Sequence, residues 1–240
     1  MDTENQNAKN QKNNIGKKQL IGMIIGIVIG IAAVTILFDV IGIGQKYNNA
    51  PVQITQSQSE IEKNVSFGIC NDDTYINDSA NICFKLPNTD WSFKNVDEIM
   101  AIMEDSNPKT DNNGKVFTEN DVEICYYDMI AFDNVNATSV QIAVSVGKSD
   151  SYTAATTSNL YLNNFKQICL QADGNANASD IYDVKIADDT YKAIDIDYAV
   201  SSACQTIAVK KAGNSYLIVE VTRYRDMDQN TNQSYLDMIY

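Results

Sequence analysis

Tyr182–Tyr198 reads YDVKIADDTYKAIDIDY, and its two-residue rhythm decides the fold. Val184 and Ile186 alternate with Asp183 and Lys185. After Asp188-Asp189, Ile194 and Ile196 then alternate with Asp195 and Asp197. Such alternation places apolar side chains on one face of a strand and charges on the other. Two such runs separated by a turn rich in Asp predict an antiparallel hairpin, Tyr182–Ile186 against Tyr191–Tyr198, turning at Asp188-Asp189. Asp195 and Asp197 are then expected to face water.

The same rhythm extends outward in both directions. A second hairpin is predicted to turn at Ala212-Gly213-Asn214, with Leu217, Val219 and Val221 on one face of its last strand. Upstream, Ile82, Phe84 and Leu86 alternate with Cys83 and Lys85 until Pro87, and Trp91-Ser92-Phe93 is extended. Val122–Phe132 and Ser139–Val146 flank DNVNAT and are expected to pair antiparallel. Helical spacing appears twice. Val96, Ile99, Met100 and Met103 follow a candidate cap at Asn95, and Tyr161, Phe165, Ile168 and Ala172 form a stripe ended by Gly174. Thr231–Tyr240 is read as a terminal helix with Leu236 and Ile239 inward. Ser106–Asn120, holding Pro108 and Gly114, is read as a loop. The fold class is α+β, an antiparallel sheet with helices packed on it.

Several of these segments resemble PsbP-like domains of bacterial surface proteins. Thr74-Tyr75-Ile76-Asn77, Ile82-Cys83-Phe84-Lys85-Leu86-Pro87 and Trp91 are similar to the opening of that family. There a Tyr-x-Asn turn leads into a strand ending in Leu-Pro with Trp shortly after. Tyr127-Asp128-Met129-Ile130-Ala131 and Val140–Val146 are similar to later parts. The resemblance covers residues 65–240 and implies an α/β/α sandwich, a scaffold without a shared active site.

Before this domain, residues 19–38 read QLIGMIIGIVIGIAAVTILF without a charge. Twenty helical residues at ~1.5 Å each match the ~30 Å hydrocarbon core, so a transmembrane helix over 19–43 is expected. Lys9, Lys12, Lys17 and Lys18 precede it and Asp39 follows, which predicts a cytoplasmic N-terminus and an outer C-terminal domain. Lys17 and Lys18 are the topology-setting pair. Residues 1–18 are a polar, disordered tail, residues 44–64 a linker or stalk, and residues 65–240 the extracytoplasmic domain. Gly22, Gly26 and Gly30 share one helix face and predict close packing with a second copy or another protein's helix. Gly42-Ile43-Gly44 leaves open a cleaved, secreted form of the same domain.

Beyond residue 44 the chain carries 14 basic and 28 acidic residues out of 18 and 31 in all. That acidity excludes nucleic acid and anionic lipid surfaces as partners. No histidine occurs, which excludes Ser-His, Cys-His and His-metal chemistry within the chain. Five cysteines, Cys70, Cys83, Cys125, Cys169 and Cys204, are an odd number without a CxxC spacing, and most are expected to be buried thiols. Asn71-Asp72-Asp73 is expected to raise the Cys70 pKa. Asp173–Asp180 offers oxygens at alternate positions but lacks the glycine and the terminal Glu of a calcium loop. Tyr126, Tyr127, Tyr224 and Tyr240 are candidates for an aromatic binding face.

No cofactor or metal is expected. The sequence therefore favours a membrane-anchored binding or accessory module for an outer protein or ligand, without catalysis. Two alternatives stand beside it: a carboxylate enzyme, which needs two acids facing across a cleft, and a thiol redox sensor.

Overall fold

The structure is a computed structural model, and it describes residues 66–120, 123–148, 156–199, 201–213 and 215–240. The tail, the apolar segment with Gly22, Gly26 and Gly30, the Lys17-Lys18 pair and the stalk up to Asn64 lie outside the described residues. Among the described residues no helix is long and apolar enough to cross a membrane.

A small sheet of β1 (Ile69–Asn71), β2 (Thr74–Asn77) and β3 (Ile82–Lys85) opens the domain. The large sheet contains β4 (Trp91–Phe93), β5 (Lys109–Thr110), β6 (Val116–Glu119), β7 (Glu123–Asp133), β8 (Ser139–Gly147), β9 (Asn177–Ala178), β10 (Tyr182–Ile186), β11 (Asp189–Asp197), β12 (Ala203–Ala212) and β13 (Ser215–Tyr224). Its order is β10-β11-β12-β13-β8-β7-β6-β5, with β4 added along β7 and β9 along β11, and every pairing is antiparallel. The helices are α1 (Val96–Ile102), α2 (Ser158–Ala172) and α3 (Asn232–Leu236).

Strand alternation sorts the core into two layers. On one face Tyr127, Ile130, Ile194, Ile196, Ile207 and Tyr216 lie beneath Ile99, Ile102 and Met103, and beneath Tyr161, Leu162, Phe165 and Ile168 of α2. Burying those four α2 side chains stabilises by about 1.5–3 kcal/mol each. That exceeds the ~1 kcal/mol from the Thr157 cap, whose hydroxyl accepts from the Leu160 N–H. On the other face Ile142, Val144, Val219, Val221 and Tyr191 pack under Tyr75, Ile82, Phe84 and Trp91, and under Tyr235, Leu236 and Ile239.

The α+β class stands, and so do the two central hairpins. The second covering layer, however, is the small sheet plus a five-residue helix rather than a layer of helices. Five local expectations change. The 106–120 segment holds the hairpin β5–β6, whose strands are too short to show alternation. The β10–β11 turn falls one residue earlier, since Ile186 pairs with Asp189, leaving Ala187 (φ 51°) and Asp188 as the loop. Ala172 is exposed, and the buried stripe of α2 runs through Leu162 and Cys169 instead. Val96 is likewise exposed at 41%, and Ile102 takes its inward place. The end of the chain leaves α3 after Leu236 and returns to extended pairing, with Cys83 and Tyr240 exchanging backbone hydrogen bonds of 2.6 and 2.9 Å.

A β-bulge interrupts β7, because Tyr127 pairs with Ala143 and Met129 with Ile142. The extra residue, Asp128, has a fully buried side chain. Its Oδ2 accepts from the Gly68 N–H (2.9 Å), the Tyr75 hydroxyl (2.5 Å) and Asn77 Nδ2 (3.2 Å). Its Oδ1 pairs with Lys115 Nζ at 2.7 Å. One carboxylate thus fastens the small sheet to the large one. Gly68 is required there, since a Cβ would collide with the Tyr75 ring and the Ile76 carbonyl.

Candidate ligand-binding cleft

Where β11, β12 and β13 pass under the start of α3, two cross-strand rows run side by side. One is Asp197–Cys204–Arg223, the other Asp195–Thr206–Val221. With strands ~4.8 Å apart, the outer members of each row stand about 10 Å apart. All of these residues but Val221 line a cleft of about 460 Å³. Tyr182 and Ile196 contribute to its lining, and Thr231, Asn232 and Gln233 form its roof.

The roof is held by a chain of hydrogen bonds. Asp228, 2% exposed, accepts from the hydroxyls of Thr138 and Tyr235, both at 2.5 Å, and from the Asn230 N–H at 2.9 Å. Burial pulls its pKa up, but these donors outweigh burial and hold it below the usual carboxylate value. The Thr231 hydroxyl caps α3 through the Ser234 N–H. Asn232 Nδ2 then donates to Thr206 Oγ1 (2.9 Å) and the Cys204 carbonyl (3.3 Å), which aims its other amide atom away from the sheet.

Two buried polar atoms of the lining residues are left over. Arg223 Nη1 donates to the Asp228 carbonyl at 3.2 Å, yet Arg223 Nε is buried without a partner among the described residues. Asn232 Oδ1 is in the same state. One is a cationic donor and the other an acceptor, and each costs about 1–3 kcal/mol while it stays unmet. The acids are better served. Asp195 Oδ1 accepts from Tyr182 (3.0 Å) and Thr206 (2.5 Å), and Asp197 pairs with Arg225 at 3.2 Å.

Asp195 and Asp197 are exposed as expected, but into a concavity. As neighbours two apart on β11 they share one wall and do not oppose each other. The Cys204 thiol is pushed up to about 11 by burial and then by Asp197, against Arg223 and Arg225, which disfavours thiolate chemistry at neutral pH.

A second polar cluster is closed. Beneath α2, Glu220 (6% exposed) accepts from Gln205 Nε2 at 2.8 Å and from Thr222 Oγ1 at 3.1 Å, and burial pushes its pKa up to about 7. Gln205 in turn accepts from Tyr198, which also bonds the buried Cys169 sulfur.

The other sequence candidates scatter. Tyr126, Tyr127 and Tyr224 are core residues on two different faces of the large sheet, and Tyr240 alone is exposed, so no aromatic face forms. Cys125, Cys169 and Cys204 are buried, Cys83 is half-buried and Cys70 exposed, and all five are free thiols. The Cys70 pKa is raised to about 11, first by loss of hydration and then by Asp128, with Lys115 opposing, rather than by its sequence neighbours. Asp173 Oδ1 of the candidate calcium loop accepts from the Asn175 N–H, and no three metal-binding side chains converge among the described residues.

Sequence reasoning missed Arg223 and Asn232. Arg223 was visible, because it continues the apolar phase of Leu217, Val219 and Val221 with a charge. Asn232 carried no such signal.

Comparison with known proteins adds little. No protein-family model matches the chain, and no curated protein does. Among solved structures it is similar to the solution structure of the cyanobacterial PsbP protein (CyanoP) of Synechocystis sp. PCC 6803. The match has 12% identity and a TM-score of 0.36, and it covers 55% of this chain and 90% of that one.

Proposed function

We propose that the chain is a membrane-anchored, extracytoplasmic binding module that works without catalysis and holds a small ligand in the cleft under α3. The observation that carries this reading is the concave site itself, about 460 Å³ lined by Asp195, Asp197, Thr206, Arg223 and Asn232. The uncharged run at residues 19–38, with lysines before it, supports the anchor and its orientation. The Tyr75-x-Asn77, Leu86-Pro87 and Trp91 pattern supports a PsbP-like scaffold. Gly22, Gly26 and Gly30 support pairing of the anchor with a second helix. An enzyme is the weaker reading, because both acids of the cleft stand on one wall.

Hydrogen exchange on the full-length chain in lipid nanodiscs, with and without a small-molecule extract of the cell envelope, tests the binding role. Slower exchange confined to β12, β13 and α3 is expected. Unchanged exchange in all three elements would overturn it. Protease added to intact cells should remove the 65–240 domain and spare the tail; the reverse pattern would refute the topology, and a domain found only in the medium would favour the secreted form.

A further inference from the structure

We propose that the outward face of the small sheet docks on the membrane that holds the chain, against zwitterionic lipid. This rests on the anchor proposed above and adds a second contact with the same bilayer. Strand register gathers one row of side chains there. Ile69 pairs with Ile76 and Ile76 with Cys83, and Cys83 exchanges backbone hydrogen bonds with Tyr240. Their neighbours Tyr75, Ile82, Phe84 and Ile239 are buried against the large sheet, so the row Ile69–Ile76–Cys83–Tyr240 faces out. Ile69 is 64%, Ile76 40% and Tyr240 62% exposed, and among the described residues the other large apolar side chains so exposed are Val96 and Val135. Exposed apolar residues scattered singly are ordinary, but three in one register row form a patch.

Reach, size and charge together select the occupant. The uncharged run at residues 19–38 lies ahead of β1, and the polar residues 44–64 join the two. A chain of about 20 residues spans roughly 25 Å on average and about 70 Å at full stretch, which keeps β1 and its Ile69 near the bilayer. Three partly exposed side chains fall far short of the ~1,200 Å² that a specific protein interface buries, which disfavours a second copy or a folded partner. A lipid interface needs no matching surface, and a tether makes a weak contact effective. Asp72, Asp73 and Asp78 flank the row, and Asp73 pairs with Lys85. Those acids and the net acidity beyond residue 44 repel a second copy and anionic headgroups alike, but not zwitterionic ones. Isoleucines suit the acyl boundary, and a tyrosine suits the headgroup level.

The test uses the whole chain in nanodiscs, one copy per disc, with labelled isoleucine and valine methyls and a gadolinium-bearing lipid. In phosphatidylcholine discs the Ile69 and Ile76 signals should broaden several-fold more than those of Val96 and Val135, which are exposed outside the row. Ile76→Asp should bring Ile69 down to the level of those controls, and adding phosphatidylglycerol should weaken the effect at both isoleucines. Near-ultraviolet signal from Trp91, whose ring lies 6.3 Å from that of Phe84 on β3, reports whether the small sheet stays folded. Should Ile76→Asp unfold, Tyr240→Ser substitutes for it, with a smaller loss expected. Equal broadening at row and control positions would overturn the proposal and leave the anchor intact. Row broadening that every folded variant retains at full strength would overturn it as well. Row signals that change only when two copies share a disc would assign the face to a second copy instead. A chain that fails to enter the discs would overturn the anchor and this inference together.

Discussion

The Asp128 hub and the cleft under α3 are both polar sites on the same face of one sheet, and they differ in how completely they are satisfied. Around Asp128, three donors and a lysine surround one carboxylate, and no space remains. Under α3, a guanidinium nitrogen and an amide oxygen are buried without a partner among the described residues, beside an open cleft. A closed set of partners marks a fastening, since any ligand would have to break it. An unfinished set leaves a standing cost in the folded state, so trimming it away need not destabilise the fold.

Substitutions break this contrast most sharply at the hub. Asp128→Ala strands Lys115, the Gly68 N–H and the Tyr75 hydroxyl, and should lower stability by about 3–5 kcal/mol in urea unfolding. Gly68→Ala should cost about 1–3 kcal/mol through the collision with Tyr75, read the same way. The cleft should behave in the opposite manner. Arg223→Met removes a buried, unmet donor together with one bond to Asp228, so stability should move by no more than about 1 kcal/mol while ligand binding falls.

Glu220 sharpens the contrast as an intermediate case, satisfied but carrying an ionisable proton. Burial raises its folded pKa to about 7, above the 4.5 of an ordinary glutamate. The stability it lends is complete below about pH 4.5 and is lost as pH rises through 7, by about 3 kcal/mol at most. Melting of the native chain should therefore fall between pH 5 and 8, and Glu220→Gln, which keeps the acceptor for Gln205, should flatten that slope. The smallest effect belongs to Lys85→Ala. The Lys85–Asp73 pair is over half exposed, at 60% and 58%, and removing it should leave urea unfolding unchanged within measurement error.

Periodicity made the sheet legible. The strands around Ile142 and Val219 are long, buried and regular, and two-residue alternation is what a long half-buried strand imposes on a sequence. Asn95 was legible for a related reason, since its side chain and that of Glu98 form a local capping box. Shorter or irregular features left no trace. β5 spans Lys109–Thr110 only, and the Asp128 bulge inserts a residue without breaking the run of buried side chains. The tyrosines misled because a Tyr at a half-buried surface and a Tyr in a core look alike in sequence. Of the cleft, Asp195 and Asp197 were singled out, but their common wall with Arg223 and Asn232 depends on cross-strand rows that no local pattern encodes.

The strand order also defines how the chain could be divided. β1 to β8 lie before residue 148 and β9 to β13 after residue 176, and in the large sheet the two groups meet along a single seam, β8 against β13, from Ser139–Thr222 to Val146–Ser215. A cut between residues 148 and 156 would leave every other pairing of the large sheet within one piece, and outside that sheet the extended pairing of Cys83 and Phe84 with Ile239 and Tyr240 would also join the pieces. The domain is therefore suited to fragment complementation: two separately made pieces that regain the fold by zipping one long seam and one short clasp, and a reporter of proximity when each piece is carried by a different partner.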